Sequence, residues 1–212
     1  MSFRVITDLK SHYRKLLEQH GPSPAAVQHI NQESQFKRFE VLAEVDKNID
    51  SVIDVGCGLG DMYEYLLQTK FSGRYLGLDF VAEFVELAKN KYGNNPNVEF
   101  AVCDLAVDAI PQGYDYILLS GVFNNKMEQN KTFMLDTIEK IFSSCNKGIA
   151  FNAMSTYVDY EEEELFYSNP LEIFDFCKRN ITPRVVLKHD YLVKKDSIPF
   201  EYTLYLYKDV MK

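Results

Sequence analysis

The residues from Val52 to Asp61, VIDVGCGLGD, have the types and spacing of a ligand-binding turn. Three glycines, Gly56, Gly58 and Gly60, stand at alternate positions directly after a short apolar run. Glycine lets the backbone turn sharply and lets a ligand approach it closely. The segment after the glycines has helical spacing, and the start of a helix offers free N–H groups. A strand, a glycine turn and a helix in this order are a layout that binds nucleotides.

Two carboxylates in the same string indicate which nucleotide the turn would accept. A dinucleotide fingerprint has glycine or alanine five positions after its first glycine, beside the pyrophosphate. Counted from Gly56, that position is Asp61, and a carboxylate there would repel phosphate. Asp54 adds a second negative charge just before the turn. The acidic turn therefore favours a cation such as S-adenosylmethionine (SAM), which carries an ammonium and a sulfonium and has no phosphate.

The string resembles the first motif of the class I SAM-dependent methyltransferases: two hydrophobic residues, Asp, another hydrophobic residue, then Gly-x-Gly-x-Gly. The resemblance implies that Asp54, Gly56, Cys57, Gly58 and Gly60 bind the cofactor SAM. It also implies a Rossmann-like α/β fold with helices on both faces of a seven-stranded, mostly parallel sheet whose last strand is antiparallel. An ordinary tight turn between a strand and a helix is the alternative interpretation.

Two further acidic residues follow predicted strands. Asp79 ends the predicted second strand, and an acid about 20 positions or more after a glycine turn can accept hydrogen bonds from both ribose hydroxyls. Its alternative role is a helix N-cap. Asp104 follows the predicted third strand. The resemblance implies that Asp104 and the backbone of Leu105 hold the adenine, with Phe80 beside the ring, whereas an Asp in a surface turn is the alternative.

The loop after the predicted fourth strand is where the resemblance places the methyl group and its acceptor. It runs from Ser120 to Asn124 with the sequence SGVFN, and Ser120 is predicted to contact the cofactor. The loop departs from the Asn-Pro-Pro-aromatic form of many enzymes that methylate amino groups of bases or of protein amides, which disfavours such acceptors. Asn124 and Asn125 could orient an acceptor or could simply be turn residues.

The segment before the glycine turn is predicted to be helical, with one helix over 7–18 and a second over 31–47, separated by Gly-Pro-Ser-Pro. We expect residues 1–48 to form an N-terminal helical cover and residues 49–212 to form the SAM-binding domain, within one structural domain overall. The resemblance implies that such helices cover the SAM pocket or shape the acceptor site. Plain packing against the sheet is the alternative.

The C-terminal part contains a segment with two interpretations and a predicted hairpin. Residues 155–169 place aromatic residues around the acidic run 161–164, which is either a solvated face or a substrate lid. Two segments, 184–192 and 200–207, are rich in β-branched and aromatic residues and are joined too closely for a crossover helix. They must therefore pair antiparallel, as the reversed last strand requires.

Composition limits the classes of protein that the chain could belong to. The 212 residues, 46% hydrophobic and 25% charged, suit one globular domain. The net charge of −8 argues against nucleic acid as a partner. The four cysteines include no CxxC pair, so neither a zinc site nor a disulfide framework is indicated. Without a membrane-length apolar run or a signal-peptide core, we expect a cytoplasmic protein with no membrane partner.

The sequence therefore predicts a SAM-dependent methyltransferase that acts on a small-molecule acceptor. No catalytic base is identified: His12 and Tyr13 lie in the predicted cover, and His189 is expected to be structural. No metal site is predicted, and the oligomeric state stays open. The alternatives are a non-catalytic SAM-binding protein, a methyltransferase acting on a protein, and an NAD(P)-dependent oxidoreductase.

Overall fold

Continuous apolar runs form the centre of a sheet in the computed structural model, which describes residues 6–208. Strands β1 (Ser51–Val55), β4 (Tyr116–Leu119) and β5 (Gly148–Ser155) are buried along their whole length. The pairs β1–β4 and β4–β5 are parallel. Parallel strands buried in this way need a layer of helices on each face of the sheet.

Four other strands complete the main sheet: β2 (Arg74–Asp79), β3 (Val98–Val102), β7 (Val185–Lys188) and β8 (Glu201–Tyr207). The strand order is β3-β2-β1-β4-β5-β8-β7. The last strand, β8, runs antiparallel to both of its neighbours, and the other pairs of the main sheet are parallel. The predicted seven-stranded sheet with an antiparallel last strand is confirmed. A two-residue strand, β6 (Tyr167–Ser168), pairs with the end of β5 and was not predicted.

Within residues 6–208, six α-helices and one short 3₁₀ helix surround the sheet. They are α1 (Ile6–His20), the 3₁₀ helix Pro24–Val27, α2 (Gln32–Ala43), α3 (Asp61–Gln68), α4 (Ala82–Tyr92), α5 (Asn130–Ser144) and α6 (Pro170–Asn180). No helix within residues 6–208 combines the length and the hydropathy that a membrane crossing requires. The predicted domain ranges extend beyond the described part at 1–5 and 209–212.

Helix α2 ends earlier than the predicted residue 47. The carboxylate of Asp46 accepts hydrogen bonds from the hydroxyl of Tyr116 at 2.6 Å and from the backbone N–H of Asn48 at 3.1 Å. A side chain that bonds to nearby backbone in this way competes with helical hydrogen bonding. The chain therefore leaves the helix and turns toward β1.

Each face of the sheet has its own core because successive side chains of a strand point to opposite sides. Val52 and Leu118 pack with α2, α3 and α4, whereas Ile53 and Ile117 pack with α5 and α6. Helices thus cover both faces, as predicted. The tips of β1 to β4 lie at one edge of the sheet, between these two layers.

A buried ion pair attaches α2 to the sheet. The guanidinium Nε of Arg38 donates to both carboxylate oxygens of Glu201, at 2.9 and 3.0 Å, and Glu201 is fully buried. The side-chain amide of Asn152 donates to the same carboxylate at 2.7 Å. A buried carboxylate is tolerated when a cation and hydrogen-bond donors surround it in this way.

We predict that Arg38→Leu lowers the free energy of unfolding by about 3–5 kcal/mol, because it leaves the Glu201 charge buried without its cation. Lys37→Leu is the matched control, since Lys37 pairs with Glu40 at a more exposed position and its loss should cost less than about 1 kcal/mol. Urea unfolding of both variants measures the difference. Equal stability of the two variants would contradict the prediction.

Candidate functional site

The ends of the parallel strands converge on one large cavity of about 890 Å³. Carboxyl ends of parallel strands lie at the same edge of a sheet, where ligands of open α/β folds bind. Its volume is within the range of small-molecule sites. Every predicted site residue except Gly60 lines the cavity: Asp54, Gly56, Cys57, Gly58, Asp79, Phe80, Asp104, Leu105 and Ser120.

The glycine turn is crowded as well as sharply bent. Gly56 has a φ of +75° and Gly58 a φ of +52°, in the left-handed region that favours glycine. A Cβ atom on Gly56 would lie 2.7 Å from a methyl group of Val122, and one on Gly58 would lie 2.9 Å from a methyl group of Val27. Both positions therefore exclude a side chain, for backbone and for steric reasons.

Gly60 takes a different place from the other two glycines. It caps the N-terminus of α3 with a φ of +82°, and a Cβ atom there would lie 3.0 Å from the ring of Tyr92. Its surroundings are aromatic side chains of the packed core, and it does not line the cavity. Cofactor contact by Gly60 stays a prediction from the sequence alone.

Asp79 connects the tip of β2 to the glycine turn. One carboxylate oxygen accepts a hydrogen bond from the backbone N–H of Gly58 at 2.9 Å, and the other accepts one from Val81 at 2.8 Å. The N-cap of α4 is Val81 and no side chain caps the helix, so Asp79 is not the N-cap that the alternative interpretation expected. A carboxylate has about four acceptor positions, so Asp79 retains capacity for a ligand.

Three carboxylates line the cavity without a salt bridge within residues 6–208: Asp54 and Asp79 are buried, and Asp61 is half-buried. Asp54 accepts from the hydroxyl of Tyr75 at 2.6 Å, and Asp61 accepts from the side-chain amide of Gln35 at 3.0 Å. Burial raises the pKa of Asp54 to about 7 and that of Asp79 to about 6, and it also raises the pKa of Asp61. Asp61 and Asp79 both raise the pKa of Asp54 further through their charges. This arrangement attracts a cation.

The turn after β3 is fixed by its own polar groups. A carboxylate oxygen of Asp104 accepts from the backbone N–H of Ala106 at 2.9 Å, and the N–H of Asp104 donates to Asp108 at 2.8 Å. The carbonyl of Leu105 accepts from the ammonium of Lys140 at 2.6 Å. Asp104 and Leu105 are therefore held at the cavity wall beside the tip of β2.

The loop after β4 carries polar atoms that lack partners. The hydroxyl of Ser120 and the side-chain carbonyl of Asn124 are buried and accept or donate no hydrogen bond within the described residues. The N–H of Gly121 donates to the side chain of Asn152 at 2.9 Å, so the ion pair of Arg38 and Glu201 positions this loop through Asn152. Buried polar atoms are nearly always paired, so unpaired ones at a cavity indicate a ligand.

Helix α1 and the 155–169 segment both form part of the cavity wall. The hydroxyl of Tyr13, on α1, accepts from the side-chain amide of Asn125 at 2.9 Å, and its ring packs edge-on against Phe80. The backbone of Asn125 in turn bridges to Leu165, within the segment that sequence analysis left as either a lid or a solvated face. Leu165 and Tyr167 line the cavity, so this segment contributes to its wall.

Two histidines of the N-terminal segment lie at the cavity, and one of them, His12, is on α1 in the predicted cover. His12 and His29 line the cavity, whereas His189 does not. Burial lowers the pKa of His29 to about 3, with a smaller effect of Arg38, so its imidazole is neutral near pH 7. Residues 6–208 contain no group of three or more His, Cys, Asp or Glu placed to hold a metal ion.

Sequence reasoning did not single out several cavity residues of the N-terminal segment, among them Val27, Ser34, Gln35 and Arg38. A signal for Gln35 was present, because it precedes Phe39 by four positions and Leu42 by seven and so shares their buried helix face. A glutamine on such a face needs a polar partner. No comparable signal marks Val27.

Comparisons with known proteins agree with this geometry. The profile of a methyltransferase domain family matches residues 53–147. A Mycobacterium tuberculosis protein named as a methyltransferase is 31% identical over 147 residues, which cover 66% of this chain and 86% of that protein. The malonyl-[acyl-carrier protein] O-methyltransferase of Acetivibrio thermocellus is 26% identical over 172 residues, 71% of this chain and 58% of the enzyme.

Solved structures share the fold. Magnesium protoporphyrin IX methyltransferase from Synechocystis PCC 6803, with bound SAM, aligns at a TM-score of 0.61 and 15% identity over 84% of this chain and 80% of that one. Phosphoethanolamine N-methyltransferase 1 of Haemonchus contortus aligns at 0.67 and 11% identity over 96% of this chain and 50% of that one.

The strand order and the position of the cavity are those of the class I methyltransferase fold. The chain belongs to the SAM-dependent methyltransferase family, and its cofactor is SAM. The glycine turn without phosphate-binding groups, the buried carboxylates and the unpaired polar atoms of the cavity suit that cationic cofactor.

We predict that Gly58→Ala abolishes measurable binding of S-adenosylhomocysteine (SAH), because the added methyl group collides with Val27 at the cavity wall. Gly113→Ala is the matched control: Gly113 also has a positive φ, of +90°, but open space around it. Both variants should lose about 1–2 kcal/mol of stability from backbone strain. Calorimetric titration with SAH should show normal binding only for Gly113→Ala, and normal binding by both would contradict the prediction.

We predict that ligand-free protein loses stability as the pH rises from about 4 to 7, in part through Asp54. Its pKa is about 7 when folded and about 4 in an unfolded chain, so the folded state binds the proton more strongly. The contribution, up to about 4 kcal/mol, is fully present below pH 4 and absent above pH 7. Urea unfolding at pH 5 and pH 8 should show a smaller difference for Asp54→Asn than for the wild type. The same difference in both would indicate that Asp54 stays ionised.

Proposed function

We propose that the cavity binds SAM and that the protein transfers its methyl group to a small-molecule acceptor. The observation that carries the proposal is the convergence of the glycine turn, the carboxylates of Asp54, Asp61 and Asp79, and the loop after β4 on one cavity. The positive charge of the cofactor complements the negative charge of the carboxylates in and beside the glycine turn. The unpaired Ser120 hydroxyl and Asn124 carbonyl supply polar contacts near the tip of β4.

The strand order supports a direction for the bound cofactor. Along the edge β3-β2-β1-β4, Asp104 and Leu105 follow β3, Asp79 and Phe80 follow β2, and the glycine turn follows β1. In the proposed arrangement the adenine lies at the first turn, the ribose hydroxyls at Asp79, and the methionyl group at the glycine turn. Asp54, Gly56, Cys57, Gly58 and Gly60 form the part of the site around that group, and Ser120 lies at its far end.

SAM supplies a methyl group on a positively charged sulfur, which is already electrophilic. The chain then needs mainly to hold the acceptor in line and to exclude water, and alignment of this kind can contribute roughly 7–11 kcal/mol. Arg38 and Glu201 hold the loop after β4 through Asn152, which fixes the wall where the acceptor would lie. His29 lines the cavity, but its lowered pKa of about 3 makes the neutral imidazole a weak base, so no general base is assigned.

The surroundings of the cavity support a small acceptor. Side chains of α1, the 3₁₀ helix, α2 and the 155–169 segment all line it, so it has walls on several sides, as a site for a small molecule requires. Relatives named for malonyl-[acyl-carrier protein] and for magnesium protoporphyrin IX show that this fold serves varied acceptors. The net charge of −8 gives no support to a nucleic-acid acceptor.

We further propose that residues 1–48 form the cover of the site and residues 49–212 the cofactor-binding part of one structural domain. Side chains of α1 and α2 that line the cavity support this division. The four cysteines are free and buried, which suits a reducing compartment and supports action in the cytoplasm.

We predict transfer of label from radioactive SAM to at least one member of a panel of carboxylic acids, phenols, thiols and amines. Gly58→Ala is the matched inactive control, because it should lose the cofactor. Scintillation counting after separation of small molecules from protein measures the result. Label found only in protein from an added extract would favour a protein acceptor, and transfer to nothing despite tight SAH binding would favour a non-catalytic role.

A further inference from the structure

The side chain of Gln35 presents an unused hydrogen-bond acceptor to the cavity. Gln35 lies on α2 with only 3% of its surface exposed, and it lines the cavity. Its amide nitrogen donates to a carboxylate oxygen of Asp61 at 3.0 Å. Its amide oxygen is buried and has no hydrogen-bond partner within the described residues.

Asp61 fixes which way the amide of Gln35 faces. An ionised carboxylate only accepts hydrogen bonds, so the NH₂ group of Gln35 must face Asp61 and the oxygen must face away from it. The oxygen is therefore held as an acceptor in a position where no protein donor reaches it. Buried acceptors are rarely left in this state, so a donor on a ligand is expected to complete it.

The charges around Gln35 favour a cationic donor. Asp54 and Asp61 also line the cavity, and the charges of Asp61 and Asp79 act on Asp54 strongly enough to raise its pKa. No lysine or arginine in residues 6–208 forms a salt bridge with any of the three. The cations nearby pair with other carboxylates: Arg38, which also lines the cavity, pairs with Glu201, and Lys91, whose charge lowers the pKa of Asp61, pairs with Glu64. The negative electrostatic potential of Asp54, Asp61 and Asp79 would stabilise an ammonium group more than a neutral donor.

The position along the sheet edge identifies the part of the cofactor concerned. Asp61 begins α3, directly after the glycine turn of β1, and α2 packs against α3. In the proposed arrangement the adenine and the ribose lie at β3 and β2, so the methionyl group lies nearest to Gln35. Its α-ammonium is a cationic donor with more than one N–H to give.

We propose that the side-chain oxygen of Gln35 accepts a hydrogen bond from the α-ammonium of the cofactor, and that Asp61 is a positioning residue that orients the Gln35 amide. The inference rests on the proposed function, because it requires the cofactor to occupy this cavity. In this proposal a residue of α2, outside the glycine turn, recognises the amino group of the cofactor.

The test compares three ligands: SAH, its deamino analogue, in which hydrogen replaces the α-amine, and its decarboxylated analogue, which keeps the amine. Gln35→Leu should lower the affinity for SAH and for the decarboxylated analogue about 10- to 100-fold, as loss of a hydrogen bond to a charged group does. Its affinity for the deamino analogue should stay the same. Calorimetric titration gives the three dissociation constants for each variant.

Gln32→Leu is the matched control, because Gln32 begins the same helix, bonds at 3.5 Å to Glu64, and does not line the cavity. It should leave all three affinities unchanged. If Gln35→Leu does not fold, Gln35→Asn replaces it in the test. The shorter side chain of Asn keeps the amide but moves its oxygen away from the cavity, so it should lower the affinity for the two amine-bearing ligands. Asp61→Asn should reduce the same two affinities, since the Gln35 amide is then free to reverse.

Different failures have different meanings. If Gln35→Leu weakened all three ligands equally, or none, the hydrogen bond to the ammonium would be refuted while the cofactor site remained. If only Asp61→Asn removed the preference for the amine, Asp61 would be the ammonium acceptor and the role of Gln35 would be refuted. If the wild type bound none of the ligands, the proposed function itself would fail.

Discussion

The placement of three carboxylates, two buried at the tips of β1 and β2 and one half-buried at the start of α3, is the constraint on which the site depends. A buried carboxylate costs free energy unless donors or a cation meet it. Here the donors are few: the hydroxyl of Tyr75 for Asp54, the amide of Gln35 for Asp61, and two backbone N–H groups for Asp79. The ligand-free fold therefore holds negative charge that the protein itself does not neutralise.

A second set of buried polar groups holds the loop after β4. Arg38 lies on α2, Glu201 begins β8, and Asn152 lies on the central strand β5. Together they connect the N-terminal segment, the last strand and the loop after β4 through hydrogen bonds of 2.7–3.0 Å. Every acceptor of Asn152 and Glu201 that is described has a donor, so this network can be rigid. The carboxylates near β1 and β2, by contrast, retain unused acceptor capacity.

Local patterns were sufficient to predict the centre of the sheet and to select residues that lie at the cavity, whose contact with the cofactor stays a prediction. The apolar runs of β1 and β4 and the glycine turn are properties of neighbouring residues, and the parallel connection then brings the strand tips together. The strand β6 escaped prediction because two residues become a strand only through pairing with the end of β5. Gln35 and Arg38 depend on partners 26 and 163 positions away, which periodicity does not reveal.

Tyr13 contacts both ends of the cavity at once. Its ring packs against Phe80, at the proposed nucleotide end, and its hydroxyl bonds to Asn125, beside the loop after β4. A movement of α1 large enough to free Phe80 must also break the bond to Asn125. Exchange of SAH for SAM by that route would therefore expose the loop after β4 to solvent. The same movement of α1 would then control both cofactor exchange and the exclusion of water from the acceptor.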